Sequence, residues 1–425
     1  MSAAGHGRVR GWRADELRSR GAVAGHARAR RVARDRARRG PWRGGAAHRR
    51  SRLRVRAHQR RVHHVSAWRS LLRPLLFLAS PAEAHALGFF ALGALELAPS
   101  LAARLRPSLD PSLTVEVMGL TFPSPLGLAG GFDKNAERPH ALSALGFGFL
   151  ELGTVTALAQ EQNPEPNLFR LPLDRALINR LGFPNQGAAA VARAYATLPS
   201  PPIPVGFSIG KSRLVDIEPI EGAIADYLAS FRAVLPVAQF VVVNVSSPNT
   251  KNLRALQGPA VARALLSALV AENDGRVPLL LKVAPDLDEA ELDALLDVVA
   301  EVGLTGVVCS NTTIRRDGLR TSARDIEAIG GGGLSGPPLR ERARLAVRRA
   351  RLRLGEDAVV IGVGGVETAA DVVALVRSGA DLVQAYTGFI YGGPRFPAQV
   401  THDLALELRR QGVSHLRELR DRDLS

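Results

Sequence analysis

Val241-Val242-Val243-Asn244-Val245-Ser246-Ser247-Pro248-Asn249 is the stretch on which the reading of this chain turns. With Phe240 before it, the apolar run reads as a strand buried on both faces. It stops abruptly. Asn244, Ser246, Ser247 and Asn249 can all hydrogen-bond at or just past the strand end, and Pro248 prevents the strand from continuing. These residue types dominate ordinary turns. In a barrel of parallel strands, the same position is where catalytic side chains stand. The rest of the chain decides between the two.

Working outward, strand patterns recur at Leu126–Ala129, Phe149–Leu152, Val205–Ser208, Phe240–Asn244, Leu279–Val283, Gly306–Ser310, Val359–Gly362 and Leu382–Ala385. Between and after them, helical patterns fall near 136–145, 186–197, 219–234, 259–272, 288–302, 338–353, 368–378 and 397–410. This alternation predicts an α/β protein, a (β/α)8 TIM barrel over 107–412, with a polar C-terminal tail at 413–425. Thr114 to Leu128 reads as a β-hairpin capping the barrel, turning at Met118-Gly119. Long polar excursions at 153–185 and 311–337 are where a substrate lid belongs.

Two segments precede the barrel. Residues 1–66 hold 20 arginines, no lysine and three acids (Asp15, Glu16, Asp35), a net +17. The remaining 36 basic and 37 acidic residues come to −1, so the net +16 of the 425-residue chain belongs to this segment. Its Arg/Ala/Gly monotony predicts a disordered extension or translation upstream of the real start. Anionic lipid or nucleic acid would be bound only non-specifically, and an Arg-rich, acid-poor start also resembles a targeting peptide. Residues 67–106 are different. Trp68, Leu71, Leu72, Leu75, Leu76 and Leu78 form one apolar cluster. A second helix opens with Ser80 as N-cap and Pro81 at the first position, carries Leu87, Phe89, Phe90, Leu92, Leu95 and Leu97, and ends at Pro99. Each run is shorter than the roughly 20 residues that span a bilayer. The pair predicts either a cover for the barrel's bottom or a membrane-interface element.

Lysine occurs only at 134, 211, 251 and 282 in a chain that otherwise uses arginine. A lysine retained in such a chain marks a compact point charge in a tight site. Lys134, Lys211 and Lys282 all fall at expected strand ends; Lys251 lies in a polar loop. The single cysteine, Cys309, excludes an intrachain disulfide and a cysteine metal cage, and its apolar run predicts burial.

The strand ends make one set: Gly130-Gly131-Phe132-Asp133-Lys134, Gly153-Thr154, Ser208 to Lys211, Asn244 to Asn249, Lys282, Ser310 to Thr313, Gly362 to Gly365 and Tyr386-Thr387-Gly388. The glycines after strand seven and Thr387-Gly388 after strand eight suit a phosphate cup. No HExxH, Walker loop or Cys/His cluster occurs. A rim of Asn, Ser, Thr and Lys with few carboxylates or histidines suits neither a hydrolase nor a divalent metal. It suits a phosphorylated heteroaromatic cofactor and a small anionic substrate, and flavin mononucleotide (FMN) fits.

Gly130–Lys134, Glu151–Thr156, Ile178–Phe183, Asn244–Asn249, Lys282–Asp286, Ser310–Thr313, Gly332–Gly336 and Ile361–Gly365 closely resemble the dihydroorotate dehydrogenases. The resemblance runs from about Ser66 to Leu408, with the motifs in order. Ser247 and the apolar helices before the barrel are similar to the quinone-dependent, membrane-associated class; soluble members have a cysteine base and lack the helices. The resemblance implies FMN-dependent oxidation of dihydroorotate to orotate in pyrimidine synthesis. It makes Ser247 the base for the C5 proton while C6 gives a hydride to the flavin. It assigns substrate contacts to Lys134, Asn179, Asn244, Asn249, Asn311 and Thr312, with Arg180, Leu181, Gly182 and Phe183 as the covering loop. It assigns the cofactor to Gly130, Gly131, Lys134, Thr154, Ser208, Asn244, Lys282, Ser310, Gly336, Gly365, Tyr386 and Thr387. His85 and Arg170 would line the quinone tunnel. The expected location is the cytoplasmic face of a bacterial cell membrane as a peripheral protein, or the mitochondrial inner membrane in a eukaryote.

Two positions depart from the family pattern: Ser208 replaces a usual Asn flavin contact, and Ser310 a usual Thr. A soluble enzyme using fumarate or NAD is the rival within the fold, and Ser247 with the helix pair argues against it. Specific nucleic-acid binding is disfavoured, because the Arg-rich segment lacks lysine and has no interleaved aromatics beyond Trp12 and Trp42, with Trp68 just past its end.

Overall fold

The computed structural model describes residues 68–422. The expectations for 1–66 lie outside the described residues. In chain order the described elements are α1 (Arg73–Leu78), α2 (Pro81–Glu96), α3 (Pro99–Leu105), β1 (Val115–Val117), β2 (Leu120–Phe122), β3 (Leu126–Leu128), α4 (Pro139–Ala144), β4 (Phe149–Val155), β5 (Leu168–Leu171), β6 (Ala176–Asn179) and α5 (Ala188–Ala196). They continue with β7 (Val205–Ile209), α6 (Ile220–Val234), β8 (Phe240–Asn244), α7 (Pro259–Asn273), β9 (Leu279–Val283), α8 (Glu289–Val302), β10 (Gly306–Cys309), α9 (Ala323–Ile329) and β11 (Gly333–Ser335). The last are α10 (Arg340–Leu354), β12 (Val359–Val363), α11 (Ala369–Arg377), β13 (Leu382–Ala385), α12 (Thr387–Gly392), α13 (Phe396–Gln411) and α14 (Arg417–Arg422).

β3, β4, β7, β8, β9, β10, β12 and β13 close into a parallel barrel. Each expected barrel strand is present, and the flanking helices lie within a few residues of the expected ranges. α8 shows the local logic. Asp288 and Glu291 form a reciprocal capping box at its start, and Gly303, at φ 74°, ends it. Leu292, Leu295, Leu296 and Val299 are buried, one stripe at helical spacing. α4 starts later than its sequence pattern because the Asp133 carboxylate accepts from the N–H groups of Glu137 (2.9 Å) and Arg138 (2.8 Å). That holds 134–138 as a loop.

The barrel interior is filled by Phe149, Phe240, Val242, Leu280, Val308, Ile361 and Leu382. The β1–β2 hairpin turns at Met118 (φ 44°) and Gly119 (φ 72°), the positive-φ pair that a tight hairpin demands. Val115, Val117, Met118, Leu120 and Phe122 pack onto this inner cluster and close its N-terminal mouth. The hairpin therefore ends at Phe122, not Leu128, and Leu126–Leu128 is the first barrel strand. Gly206 leaves room for the Phe240 ring, which a Cβ there would strike. Gly206→Ala should cost about 1–3 kcal/mol by overpacking. Urea unfolding measures this, and an unchanged midpoint would mean a looser interior.

The apolar helices are not at the bottom. His85 and Phe89 of α2 meet the ring of Phe132, just beyond the C-terminal end of β3. Glu96 accepts from the N–H groups of His140 (3.3 Å) and Ala141 (2.7 Å) and from His140 Nδ1 (2.7 Å), capping α4. Arg170 of β5 donates to the carbonyls of Phe77 (3.3 Å), Ala79 (2.8 Å) and Ser80 (3.2 Å). These contacts place α1 and α2 at the C-terminal rim. Pro99 opens a third short helix, α3, after a 105° bend. No single described helix is long and apolar enough to cross a membrane. Leu75, Leu78, Phe90 and Leu97 are 64%, 85%, 80% and 89% exposed.

The two long excursions join each other. β5 and β6 form an antiparallel pair, and β11 of the second excursion adds to β6 with Gly333 opposite Asn179. Within the described part of the expected polar tail, Val413, Leu416 and Leu419 are buried in the core, because α14 and the turn before it pack their apolar residues inward. Cys309 is fully buried, and desolvation pushes its thiol up to about 12. Native protein should therefore resist a maleimide and react only once unfolded. Rapid labelling under native conditions would show that β10 opens.

Candidate active site

A cavity opens at the C-terminal rim. Parallel pairing puts the strand ends there in register, with Asn244 of β8 directly opposite Lys282 of β9. Its walls draw on nearly every strand end. Gly130, Gly131 and Lys134 follow β3, Thr154 is the penultimate residue of β4, Asn244 ends β8, and Ser247 and Asn249 follow it. Lys282, Ser310, Asn311, Thr312, Gly336, Gly365, Tyr386 and Thr387 complete the polar wall. Leu181, Gly182 and Phe183 cover one side.

On the β8 side the amides form a chain. Asn244 Nδ2 donates to Thr154 Oγ1 (3.1 Å), and its Oδ1 accepts from Asn311 Nδ2 (3.2 Å) and Ser246 Oγ (3.1 Å). The Asn244 carbonyl accepts from the buried Tyr227 hydroxyl at 2.9 Å. Asn249 Nδ2 donates to Asn179 Oδ1 at 3.0 Å, linking the segment after β8 to β6. Ser247 Oγ accepts from the Asn249 N–H at 3.2 Å. Among the described residues no carboxylate or imidazole hydrogen-bonds to this hydroxyl.

The floor is charged. Lys282 Nζ donates to Glu151 Oε1 at 3.0 Å, and Gln384 Nε2 to Glu151 Oε2 at 2.8 Å, all three side chains being buried. Gln384 Oε1 is buried without a hydrogen-bond partner. At the rim above, burial lowers the pKa of Lys134, and neighbouring Asp133 opposes that shift. Burial raises Asp133 itself to about 6, against the two N–H bonds it accepts.

The opposite wall is built from backbone. Gly336 (φ 101°) and Gly365 (φ 73°) hold conformations that side chains resist. A Cβ at Gly336 would meet the carbonyl of Arg175 at 2.9 Å, and one at Gly365 the Arg340 Cβ at 2.8 Å. Ser335 and Thr387 hydroxyls are 2.8 Å apart, and α12 begins at Thr387 with N–H groups that lack intrahelical acceptors.

Four expected site residues do not line the cavity. Ser208 is fully buried and bonds to the Thr154 hydroxyl at 2.9 Å, one step behind the wall. Arg180 turns away, donating to the carbonyls of Ile329 (2.6 Å) and Pro166 (3.1 Å), and so ties the excursions together. Arg170 anchors the α1–α2 turn. His85 lies between Phe89 and Phe132, and desolvation, then the charge of Lys134, lowers its imidazole to about 4. Lys211 also fails to reach the cavity; its ammonium is bound by the carbonyls of Ser212 (2.9 Å) and Val215. Two lysines, not three, line the cavity. Sequence reasoning missed Glu151, Gln384 and Ser335, and passed over Thr250, whose hydroxyl is buried and unpartnered. A Glu between Leu150 and Leu152, and a Gln between Val383 and Ala385, are polar interruptions in buried strands and could have flagged the first two.

Comparison with known proteins accords with this site. The dihydroorotate dehydrogenase family model matches residues 112–408. A curated protein of Nocardia farcinica (strain IFM 10152), named dihydroorotate dehydrogenase (quinone), is 48% identical over 355 residues, spanning 82% of this chain and 95% of that protein. The identically named protein of Thermobifida fusca (strain YX) is 46% identical over 358 residues, spanning 82% and 94%. Among solved structures, DHODH from Eimeria tenella in complex with ferulenol superposes with a TM-score of 0.68 at 33% identity, covering 78% of this chain and 94% of that one. The chain that carries this lysine-floored, amide-walled cavity belongs to the dihydroorotate dehydrogenase family.

Proposed function

We propose that this protein oxidises (S)-dihydroorotate to orotate with bound FMN and passes the electrons to a quinone. The family is flavin-dependent, and the named relatives are quinone enzymes. The observation that carries the reading is that Ser247, Lys134 and the amides of Asn179, Asn244, Asn249 and Asn311 share one cavity with the Gly336–Gly365 cradle.

The residues fit a phosphorylated flavin on two grounds. The cradle leaves no room for side chains, so backbone N–H groups approach an anion closely. Gln384 Oε1 is a buried acceptor in want of a donor, which a heteroaromatic N–H supplies. A flavin held by these residues would supply the hydride acceptor for substrate C6 and the two-electron donor for the quinone. Ser247 takes the C5 proton. A serine hydroxyl is a weak base, so its placement has to do much of the work and its proton must pass on to solvent. Lys134 meets the substrate carboxylate, which restores to the ammonium the stabilisation that burial removes. The four amides match alternating donors and acceptors on the ring. Leu181 and Phe183 would exclude water over it, and Lys282 would supply positive charge to a flavin that gains electrons.

The exposed Leu75, Leu78, Phe90 and Leu97 support docking of α1–α3 in a membrane interface. His85 and Arg170 would flank the quinone's path, and a bacterial protein would lie on the cytoplasmic face. The test is an anaerobic flavin assay. Dihydroorotate should bleach the flavin absorbance, and a soluble quinone should restore it. Bleaching without recovery would move the acceptor to fumarate or NAD; no bleaching would remove dihydroorotate as substrate.

A further inference from the structure

One guanidinium ties together the three loops that follow β8, β9 and β10. Arg254 stands in a single 3-10 turn, Leu253–Gln257, whose Leu253, Leu256 and Gln257 are buried. Gln257 Oε1 accepts from the Ala284 N–H at 2.8 Å, which fixes the turn against the loop after β9. From this seat Arg254 Nε donates to the Ser246 carbonyl at 3.0 Å, Nη2 to the Thr312 carbonyl at 2.8 Å, and Nη1 to Asp286 Oδ2 at 2.8 Å. Asp286 accepts in turn from the Ile314 N–H at 3.0 Å and from the Thr313 hydroxyl. Ser246 immediately precedes Ser247, and Thr312 follows Asn311. Arg254 itself does not line the cavity.

A planar fork with several fixed donors sets the relative position of its acceptors, whereas an ammonium is a point charge that does not. The two carbonyls held here belong to the segment with the proposed base and the segment with the proposed substrate amides. Asn311 Nδ2 donates to Ser246 Oγ at 2.9 Å, a second link between the same two segments. Asp286, in the loop after β9, takes up both this guanidinium and the loop after β10, so Arg254 and Asp286 together fix the three loops relative to one another.

We propose that Arg254 is a positioning residue for proton abstraction, holding Ser247 at a fixed distance from the substrate bound by Asn311 and Thr312. The inference rests on the functional reading above. It requires that Arg254 affect the half-reaction in which the substrate is deprotonated and leave the other alone.

The experiment is anaerobic stopped-flow on the flavin-loaded full chain, comparing wild type, Arg254→Lys, Arg254→Ala and Arg263→Ala. The last loses only an exposed pair with Glu301 and serves as control. Saturating dihydroorotate should reduce the flavin roughly a hundredfold more slowly in both Arg254 variants, the scale of a 1 Å misplacement. Reoxidation of the reduced flavin by a soluble quinone, flavin content and the substrate's dissociation constant should stay at wild-type values. Added guanidinium should restore part of the Arg254→Ala rate. Arg254→Lys retains the charge beside Asp286, so it carries the test if the Ala variant does not fold. Unchanged reduction in the variants overturns the proposal. So does a parallel fall in both half-reactions with loss of flavin, which marks a scaffold residue. Failure of dihydroorotate to reduce the wild type overturns the functional reading instead, and the two failures are distinguished by that one control.

Discussion

Replacing Ser247 by alanine should slow reduction of the bound flavin by dihydroorotate by roughly 10²–10⁴-fold, the range a positioned general base contributes. Reoxidation by quinone should be unaffected, because that step takes no proton from substrate carbon. The site has no second candidate within hydrogen-bond reach of this hydroxyl among the described residues: Ser247 Oγ is bonded only to the Asn249 N–H. Lys134, although in the same cavity, is expected to be occupied with the substrate carboxylate. Ser247→Cys offers a more acidic group at the same place, with an ordinary pKa of about 8.5, and should retain more activity than the alanine variant, rising with pH through the thiol's ionisation. Substrate affinity should change little in either, since the amides and Lys134 remain. If the alanine variant reduces its flavin at the wild-type rate, the C5 proton leaves by another route and Ser247 is only a turn residue. Stopped-flow absorbance of the flavin decides this.

What could be read from the sequence was whatever depends on local pattern. The barrel strands are short apolar runs that end in Gly, Asn, Ser or Lys, and a parallel barrel collects all such ends at one rim. That is why Lys134, Asn244, Ser247, Asn311 and Gly365 could be named together. What could not be read was side-chain direction and pairing between distant segments. Lys211 and Ser208 stand at strand ends like the others, yet one turns into its own loop and the other bonds behind Thr154. Arg180 belongs to the covering loop by sequence, yet its guanidinium reaches Ile329. The β6–β11 pairing joins Asn179 to Gly333, and neither segment alone carries a signal for it. The placement of α1 and α2 follows from Phe132, Glu96 and Arg170, contacts that no periodicity reveals.

The floor of the cavity should be where substitution costs most stability. Glu151 is buried with each oxygen occupied, one by Lys282 and the other by Gln384. Glu151→Gln keeps the shape but leaves the Lys282 charge buried without its counter-charge, and removing one partner of such a pair costs about 3–5 kcal/mol. Lys282→Met makes the reciprocal error by leaving a buried carboxylate. The double variant Glu151→Gln, Lys282→Met carries no unbalanced charge, so it should be more stable than either single variant, with a coupling of roughly 0.5–3 kcal/mol. Urea midpoints of the flavin-free proteins measure this directly. Function should divide differently from stability. The double variant should fold well yet bind flavin weakly and be reduced slowly, because the positive charge that Lys282 would present to the reduced ring is gone. That outcome would show Glu151 acting through Lys282: it offsets the cost of keeping that charge in the barrel, and the charge would serve the cofactor. Two equally stable single variants and a double variant no better than either would mean that the pair is not coupled. A double variant with wild-type flavin affinity and reduction rate would instead remove Lys282 from the cofactor site while leaving the ion pair as a structural feature of the barrel.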